Sequence, residues 1–414
     1  MFKKTLKTLV PIALFLSLSI SASAATWLPV ADNTDFGSDS NISGPGWKSA
    51  AVFEGNLIIG LENTTDGCEV WEFNGTTWTQ INTDGFGDTN NGATVAFHVY
   101  DGDLFVSTSN SVTGLEIWSY NGTVWTEATQ QGTVPPGDGF GTSENINSGA
   151  MTTYNGQLYV GTYNPPSFGV TTGAELWKFD GADWTEENIG GLGFGDTDNQ
   201  AISALLEDSD GHLLAGTTNG GAGAEIFEYD GSWSQRENLG ISDSNNTNVD
   251  HFIDTGTSLY AFLRNATSGI TVYESDYVTY DFTNIGDSGL GNSSNTIDLA
   301  ATRFNNELYV GTFAIGNGTE IRKYTGSGTT WDLENSPGFG DITNWVTNSL
   351  IEYNGELYAL SGFGQLIASS PVIYKMENPT VVPEFTTWLL VLTAAVGVGF
   401  IVLKRSKIKS PAQA

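Results

Sequence analysis

A motif that returns along most of the chain constrains the fold more than any other feature of the sequence. An apolar pair after a tight turn recurs at spacings of 47, 54, 55, 46, 49 and 49 residues, and it aligns Leu57, Leu104, Leu158, Leu213, Leu259, Leu308 and Leu357. The segments between these leucines are rich in Gly, Thr and aromatic residues, a composition that excludes solenoid helices. A period of this length built from strand-like pieces predicts an all-β repeat architecture.

Each unit of the repeat is predicted to contain four strands. In the third unit the predicted strands cover 148–154, 158–162, 174–179 and 182–187. Asn-Gly and Asp-Gly dipeptides recur between strands one and two and between strands three and four, and they suit two-residue type I′ turns. Turns of that length would pair Trp71 with Trp78, Trp118 with Trp125, and Trp177 with Trp184. We interpret these tryptophans as packing between units rather than as a platform for sugars.

The count of fourth strands predicts how the array closes. The seventh unit ends near Met376 without a fourth strand, whereas the segment from Thr26 to Asn41 has the Trp, the Phe-Gly and the final Asn of the repeat at matching spacing. We therefore expect residues 26–378 to form a seven-bladed β-propeller of four-stranded antiparallel blades, closed by the N-terminal strand. Six or eight blades are the alternatives.

Both ends of the chain carry targeting features. Residues 1–25 have the lysines, the apolar run and the Ala-Ser-Ala site of a secretory signal peptide. Residues 386–403 are uncharged and mostly apolar and precede the basic segment 404–414, so a transmembrane helix with a cytoplasmic tail is predicted after the linker 379–385. A buried core helix is the alternative. The protein is thus expected to be exported and held at the cell surface through the membrane.

The body between these ends is strongly acidic. It has eight basic against 46 acidic residues, a net charge of about −38. Such a surface repels nucleic-acid phosphates and anionic lipids and attracts cations, so no nucleic-acid partner is expected. A saline habitat would explain the charge equally well. Cys68 is the sole cysteine, which rules out an intramolecular disulfide.

The link between units is the first candidate site. It has the form Gly-Phe-Gly-Asp followed by Asn, and it lies with the longer loops on the end of the ring opposite the tight hairpins, where binding usually resides. Because it returns in every unit, we interpret it first as structural, with Phe between sheets and Asn or Asp in Asx turns. The alternative is a calcium site, for which the candidate ligands are Asp88, Asp196, Asp198, Asn199 and Asp341. Calcium aside, no cofactor is expected.

Signatures of an enzyme are scarce, and we predict that the protein is not one. The three histidines, His98, His212 and His251, show neither metal-ligand spacing nor a recognisable triad. Unrepeated polar residues on predicted inner strands are the remaining catalytic candidates, namely Asp250, His251, Asp298 and Arg303. The recurrent Glu of the third strand is interpreted as structural at Glu69, Glu116, Glu175, Glu225 and Glu320.

Eight Asn-x-Ser/Thr sequons permit surface glycosylation without showing it. They begin at Asn41, Asn63, Asn74, Asn121, Asn245, Asn265, Asn292 and Asn317.

Two resemblances follow from these motifs. The units resemble kelch-type propeller repeats in the small-residue run after strand two and in the Trp of strand four. The tail, Val-Pro-Glu-Phe followed by the apolar run and Lys-Arg-Ser-Lys-Ile-Lys, resembles the PEF-type C-terminal sorting signals of prokaryotic surface proteins. The second resemblance implies that Pro383, Glu384 and Phe385 are recognised by an archaeosortase-like or exosortase-like membrane protease. It also implies that a lipid anchor could replace the tail.

The leading functional hypothesis is a surface-displayed, non-catalytic binding or envelope protein. Its expected ligand is a glycan, a polymer or a partner protein, held at the loop face of the ring with calcium as an optional aid. A secreted carbohydrate-active hydrolase or lyase on the same scaffold is one alternative, and a structural coat component is the other. An enzyme should break the repeat with unrepeated carboxylates, His or Tyr at the mouth of the channel.

Overall fold

The computed structural model describes residues 25–37, 48–133, 136–165, 173–237, 239–265, 267–276, 281–286, 288–362 and 371–377. The predicted signal peptide, the sorting motif Pro383–Phe385, the membrane helix and the basic tail lie outside these residues, as does Asn41. Within the described segments, no helix combines the length and the apolar character needed to cross a membrane.

Antiparallel strands dominate the described residues, because Gly- and Asn-containing turns alternate with short segments of Val, Ile, Tyr, Trp and Thr, which favour strands. The strands, in chain order, are β1 (Thr26–Ala31); β2 (Ala50–Phe53), β3 (Asn56–Leu61), β4 (Glu69–Phe73) and β5 (Trp78–Gln80); β6 (Ala93–Tyr100), β7 (Asp103–Ser109), β8 (Ile117–Tyr120) and β9 (Trp125–Glu127); β10 (Asn147–Tyr154), β11 (Gln157–Tyr163), β12 (Leu176–Phe179) and β13 (Trp184–Glu186). The chain continues with β14 (Ala201–Glu207), β15 (Leu213–Thr218), β16 (Ile226–Tyr229) and β17 (Trp233–Glu237); β18 (Asn246–Asp254), β19 (Ser258–Asn265), β20 (Gly269–Asp276) and β21 (Phe282–Gly286); β22 (Ile297–Phe304), β23 (Glu307–Phe313), β24 (Ile321–Tyr324) and β25 (Trp331–Leu333); β26 (Val346–Tyr353), β27 (Glu356–Gly362) and β28 (Val372–Glu377).

Short helical turns lie in the connections. They are 3-10 turns at Asn33–Asp35, Asp84–Gly87, Ala128–Gln130, Asp138–Gly141, Leu192–Gly195 and Pro337–Gly340, and one α-turn at Leu239–Ser242.

Consecutive strands pair in groups of four, beginning with β2 to β5. The last three strands, β26 to β28, are completed by β1, whose Thr26 pairs with Glu377 and whose Leu28 pairs with Lys375. The first strand of each group packs against the first strand of the next, and β26 contacts β2. This ring of antiparallel groups is a β-propeller arrangement.

The two ends of the ring differ. The hairpin face carries the turns between first and second strands and between third and fourth strands, such as 54–55 and 74–77. The loop face carries the connections from second to third strands, such as 62–68, and the links between groups, such as 81–92.

The hairpin between third and fourth strands is longer than the sequence predicted. The Asn74 carboxamide oxygen accepts hydrogen bonds from the N–H groups two and three residues on, both at 3.0 Å. Residues 74–77 therefore form a four-residue loop, so Phe73 pairs with Trp78 and Trp71 pairs with Gln80. The prediction that Trp71 faces Trp78 was wrong, because the Asx turn adds two residues to the loop. The predicted pairs Trp118–Trp125 and Trp177–Trp184 were wrong for the same reason.

Fourth-strand tryptophans pack between groups, as the sequence indicated. The Trp125 indole N–H donates to the carbonyl of Ile81 in the preceding group at 2.7 Å. The same bond recurs from Trp184 to Ala128 at 2.8 Å, from Trp331 to Ile285 at 2.9 Å and from Trp27 to Glu334 at 3.1 Å. Because Trp27 belongs to β1, the N-terminal strand makes the same contact as a fourth strand from within the repeats.

Candidate functional site

Most links carry a phenylalanine that packs between neighbouring groups, whereas Ile241 and Leu290 take its place in two links. Phe86 has a φ of 59°, a conformation that costs free energy for a residue with a side chain. Its ring stacks on Trp118 at 4.8 Å and meets Trp125 edge-on at 5.0 Å, which offsets that cost. Phe140, Phe194 and Phe339 make equivalent pairs in later links. Phe36, at the joint between β1 and the first group, meets both Trp71 and Trp78 edge-on.

A buried polar ladder holds each link to the following group. The Asn91 amide donates to the Gly85 carbonyl at 2.9 Å and to the Glu116 carboxylate at 2.8 Å, and Glu116 also accepts from the Trp118 indole at 2.7 Å. A buried carboxylate needs such donors. The pairing recurs for Asn145 with Glu175 at 2.8 Å, Asn199 with Glu225 at 2.6 Å and Asn295 with Glu320 at 2.7 Å.

Two links lack the Glu, and a tyrosine hydroxyl replaces it. Asn246 donates to Tyr273 at 3.1 Å, and Asn344 donates to Tyr374 at 3.2 Å. In the fifth link the bonding residue is Asn246, the second of two adjacent asparagines. Two adjacent asparagines made the sequence ambiguous at this point.

The residues proposed for calcium lie within this framework. Asp88 and Asp196 each accept a backbone N–H two residues on at 2.9 Å, and Asp341 does so at 3.0 Å. Asn199 is fully buried in the ladder, whereas Asp198 is exposed. These contacts are Asx turns and explain the recurrence of Asp without an ion. A calcium role for the five residues stays a prediction.

The sequons differ in accessibility. Asn63 and Asn265 are 0% and 3% exposed, and their side-chain oxygens cap the following loops, so glycan attachment there would require the folded chain to open. The asparagines at 74, 121, 245 and 317 are exposed, and Asn292 is half-buried and donates to Glu320 at 2.8 Å. Glycosylation at these sites stays a prediction.

One position of the repeat varies although its surroundings are constant. It lies at the C-terminal end of each second strand, on the loop face, and in most groups it directly precedes a buried asparagine. We call these the mouth positions: Glu62, Ser109, Tyr163, Thr218, Arg264, Phe313 and Gly362. The residues at 109, 163, 218, 264 and 313 are all half-buried. The same frame thus presents six different side chains and one glycine around the opening of the ring.

An unrepeated charged cluster adjoins Arg264. Asp250 is 5% exposed, and its Oδ1 accepts from the Asn248 amide and from Arg264 Nη2, the latter at 3.3 Å. Asp250 Oδ2 has no hydrogen-bond partner among the described residues. The strand β18 shifts register at two places around these residues, whereas the other described first strands shift at most once. Bulges re-aim side chains, and this pair distinguishes the fifth group.

A lysine crosses the opening. Lys48 precedes β2, and its ammonium donates to the Ser203 carbonyl on β14 at 2.9 Å. Those strands belong to groups three apart in the ring, so the side chain spans the enclosed space. With Arg264 and Asp250, it gives the mouth charges of both signs.

Burial changes the acid–base behaviour of two mouth residues. Glu62 is 8% exposed, and burial raises the pKa of its carboxyl to about 7. Burial also raises the pKa of the Tyr163 phenol, and the Arg264 guanidinium opposes that rise, so the two side chains share one electrostatic environment. Near neutral pH, Glu62 can donate as well as accept a hydrogen bond.

Among the catalytic candidates whose side chains the structure describes, Arg303 lies apart from Asp250 and His251, which are neighbours on β18. Arg303 lies at the hairpin end of β22 and donates to Asn306 at 3.1 Å, whereas Asp250 lies towards the loop face. His98 contacts Thr153 at 2.8 Å, and burial lowers the pKa of its imidazole to about 4. The side chain of Asp298 lies outside the described part of the structure.

Sequence reasoning missed Arg264 and Lys48. Variation at one register position among otherwise similar units was the signal that could have identified Arg264.

Comparisons with known proteins bear on the fold alone. No protein-family model matches the sequence, and no curated protein matches it. Among solved structures, the Dos1 propeller aligns with 78% of this chain and 76% of its own at 11% identity and a TM-score of 0.48. A puromycin-hydrolyzing peptidase from Mycobacterium tuberculosis aligns with 86% of this chain and 55% of its own at 11% identity and a TM-score of 0.50. At this identity the second likeness shows similarity of fold and nothing about activity.

Proposed function

We propose that the protein is an exported, membrane-anchored, seven-bladed β-propeller that binds a glycan at the mouth of its loop face without catalysing a reaction. The variation of the mouth positions within a constant frame carries this proposal. Loops and strand ends on a rigid scaffold are where binding residues concentrate. A purely structural ring would have no need of seven different residues at equivalent positions.

The strand pairing supports the blade count. Each four-strand group would be one blade, and the pairing of β1 with β28 together with the bond from Trp27 to Glu334 would complete the seventh. The kelch-type resemblance is part of this hypothesis and rests on the shared position of Trp.

The chain ends support the cellular location. The predicted signal peptide, the PEF-type motif Pro383–Phe385 and the basic tail would place the propeller outside the cell, held by the C-terminal helix or by a lipid that a sorting protease exchanges for it. Mass spectrometry of the mature protein would show whether the chain ends near Phe385.

The chemistry of the mouth favours a sugar over a charged ligand. Tyr163 and Phe313 offer aromatic surface at mouth positions, and Trp345 directly precedes β26 on the same face. Ser109 and Thr218 offer hydroxyls at further mouth positions, and all five side chains are half-buried. Aromatic faces pack on the apolar faces of sugar rings, and buried polar groups fix orientation. Exposed apolar side chains of the loop face, Val112 at 61%, Ile315 at 53% and Ile342 at 57%, widen the contact area.

A glycan array probed with the full-length chain tests the proposal. We expect binding to a restricted set of uncharged oligosaccharides. A chelator should abolish this binding if calcium takes part in it and should leave it unchanged if calcium does not. Captured oligosaccharides should be recovered intact. Absence of binding across the array would overturn the glycan assignment, and a protein ligand would then have to be sought.

A hydrolase is the second candidate, because burial raises the pKa of the Glu62 carboxyl to about 7, so that it is partly protonated near neutral pH and could act as a general acid. Glycosidases use a pair of carboxyl groups, and Asp250 is the other buried carboxylate described at the mouth. Time-dependent release of reducing sugar, lost in Glu62→Gln, would establish this function in place of simple binding.

A further inference from the structure

A second group of ionisable residues lies on the hairpin face of the fourth group, away from the mouth. Asp208 and His212 stand in the turn between β14 and β15, and Glu228 lies on the neighbouring strand β16. Asp208 Oδ2, His212 Nδ1 and Glu228 Oε1 lie within 4.8 Å of one another. The imidazole nitrogen is 3.7 Å from the Asp208 oxygen and 3.8 Å from the Glu228 oxygen.

Two of these atoms have no hydrogen-bond partner although they are buried. Asp208 is 5% exposed, and its Oδ1 accepts from the N–H groups of Asp210 at 3.0 Å and His212 at 2.8 Å. Its Oδ2 and the His212 Nδ1 are unpaired among the described residues. Unpaired buried polar atoms cost free energy, and separations of 3.7 and 3.8 Å are too long for a direct hydrogen bond. The arrangement leaves room for an additional atom.

The spacing suits a metal ion. Ligands at the bond lengths of zinc, about 2.0–2.2 Å, stand roughly 3.4 Å apart at the corners of a tetrahedron. We propose that Asp208 Oδ2, His212 Nδ1 and Glu228 Oε1 bind a zinc-like divalent transition metal, with the fourth position open to water. The imidazole ligand argues against calcium, which prefers oxygen ligands.

Arg236 is not a proposed metal ligand, but it contacts the carboxylate of the proposed ligand Glu228. Its Nε donates to Glu228 Oε2 at 2.8 Å, and its Nη2 contacts Oε1. The Arg236 side chain is 37% exposed, whereas that of Glu228 is 1% exposed. The guanidinium can therefore move its Nη2 away from Oε1, so that Oε1 binds the metal, while its Nε stays bonded to Oε2 and orients the carboxylate. The bound ion would tie the first hairpin of this group to its third strand.

Zinc titration of the full-length chain tests the site, after dialysis against chelator and in competition with a chromogenic chelator. Wild type should bind one Zn²⁺ per chain. His212→Ala and Asp208→Asn should weaken binding at least about 100-fold, and Asp208→Asn retains the oxygen that caps the turn. Asp210→Asn is the matched control, because it removes the same charge from the same turn and should change affinity less than twofold.

Cobalt gives an independent readout that needs no variant. Co²⁺-loaded wild type should show intense visible d–d absorption of a four-coordinate site, which His212→Ala lacks. Equal Zn²⁺ affinity in wild type, His212→Ala and Asp210→Asn would overturn the proposal, since the ion would then be held by the general acidic surface. Ca²⁺ displacing Zn²⁺ at equal concentration would overturn the assignment of metal class.

Discussion

At the residue scale, two buried carboxyl groups have similarly raised pKa values but different hydrogen-bond partners. Burial raises the pKa of both Glu62 and Glu116 to about 7. Glu116 accepts hydrogen bonds from Asn91 and Trp118, which favour its charged form, whereas burial is the resolved cause of the shift at Glu62. The first residue lies at a mouth position of the proposed binding surface, and the second holds a link.

Glu62→Gln should stabilise the protein at pH 8 by about 1–3 kcal/mol and change little at pH 4. A carboxyl whose pKa is raised on folding destabilises the folded state progressively as pH rises from about 4.5 to about 7, and the amide never ionises. Urea unfolding at both pH values measures the difference. Glu116→Ala serves as the contrast, because it leaves the Asn91 amide and the Trp118 indole N–H without their acceptor and should destabilise the protein at pH 8. A loss of stability in Glu62→Gln at pH 8 would show that ionised Glu62 has a favourable partner.

The link asparagine can be tested against its neighbour. Asn91→Ala removes three side-chain hydrogen bonds, to Gly85, Glu116 and Asn110, and leaves Glu116 short of a donor. It should therefore reduce the free energy of unfolding by about 2–4 kcal/mol. Asn90→Ala changes an exposed residue of the same type and should cost less than about 1 kcal/mol. Chemical denaturation compares them, and equal losses would refute the ladder as a source of stability.

At the scale of the element, each link depends on close backbone approach. Gly67, in the loop between second and third strands, has a φ of 103°, and an added Cβ would lie 2.5 Å from the Cα of Gly85 in the link. The loop and the link therefore pack backbone to backbone, and Phe86 is driven into the left-handed region beside them.

Gly67→Ala should destabilise the protein more than Gly55→Ala. Both glycines have positive φ, so both changes carry the strain of about 1 kcal/mol expected there. Nothing lies within 4 Å of a Cβ at Gly55, so the overpacking at Gly67 should add about 1–3 kcal/mol. Thermal unfolding of the pair isolates the clash. Similar melting temperatures would mean that the loop moves aside without cost.

At the scale of the whole molecule, the N-terminal strand joins the two ends of the ring. Leu28→Cys with Lys375→Cys should form a disulfide on mild oxidation, because these residues are cross-strand partners. The bond would close a very long loop and should add about 2–4 kcal/mol to the free energy of unfolding. Leu28→Cys with Val99→Cys, which lies on β6 in another group, should not cross-link. Non-reducing electrophoresis distinguishes them, and failure of the first pair would contradict the closure.

The parts of the fold that recur in the repeat could be predicted from the sequence, whereas the candidate sites could not. The leucine spacing was sufficient to predict the four-strand groups. The copy of the repeat motif around Trp27, at the N-terminal end of the chain, was sufficient to predict that the N-terminal strand pairs with the last group. The aromatic register was not predictable from Asn-Gly, because the Asx turn at Asn74 lengthens the loop. Asp208 and His212 are four residues apart in one turn, but Glu228 reaches that cluster from another strand, as Arg264 reaches Asp250, and no linear spacing records those two contacts.

The affinity of mouth variants for an oligosaccharide identified on the array tests the central claim most directly. Tyr163→Ala should weaken binding about tenfold or more, the loss expected for one aromatic contact. Val124→Ala, which changes an exposed residue of the hairpin face, should leave affinity unchanged. Calorimetric titration of the three full-length chains gives the comparison. Equal affinity in wild type and Tyr163→Ala, with loss in Val124→Ala, would contradict the account and move the binding surface to the opposite face.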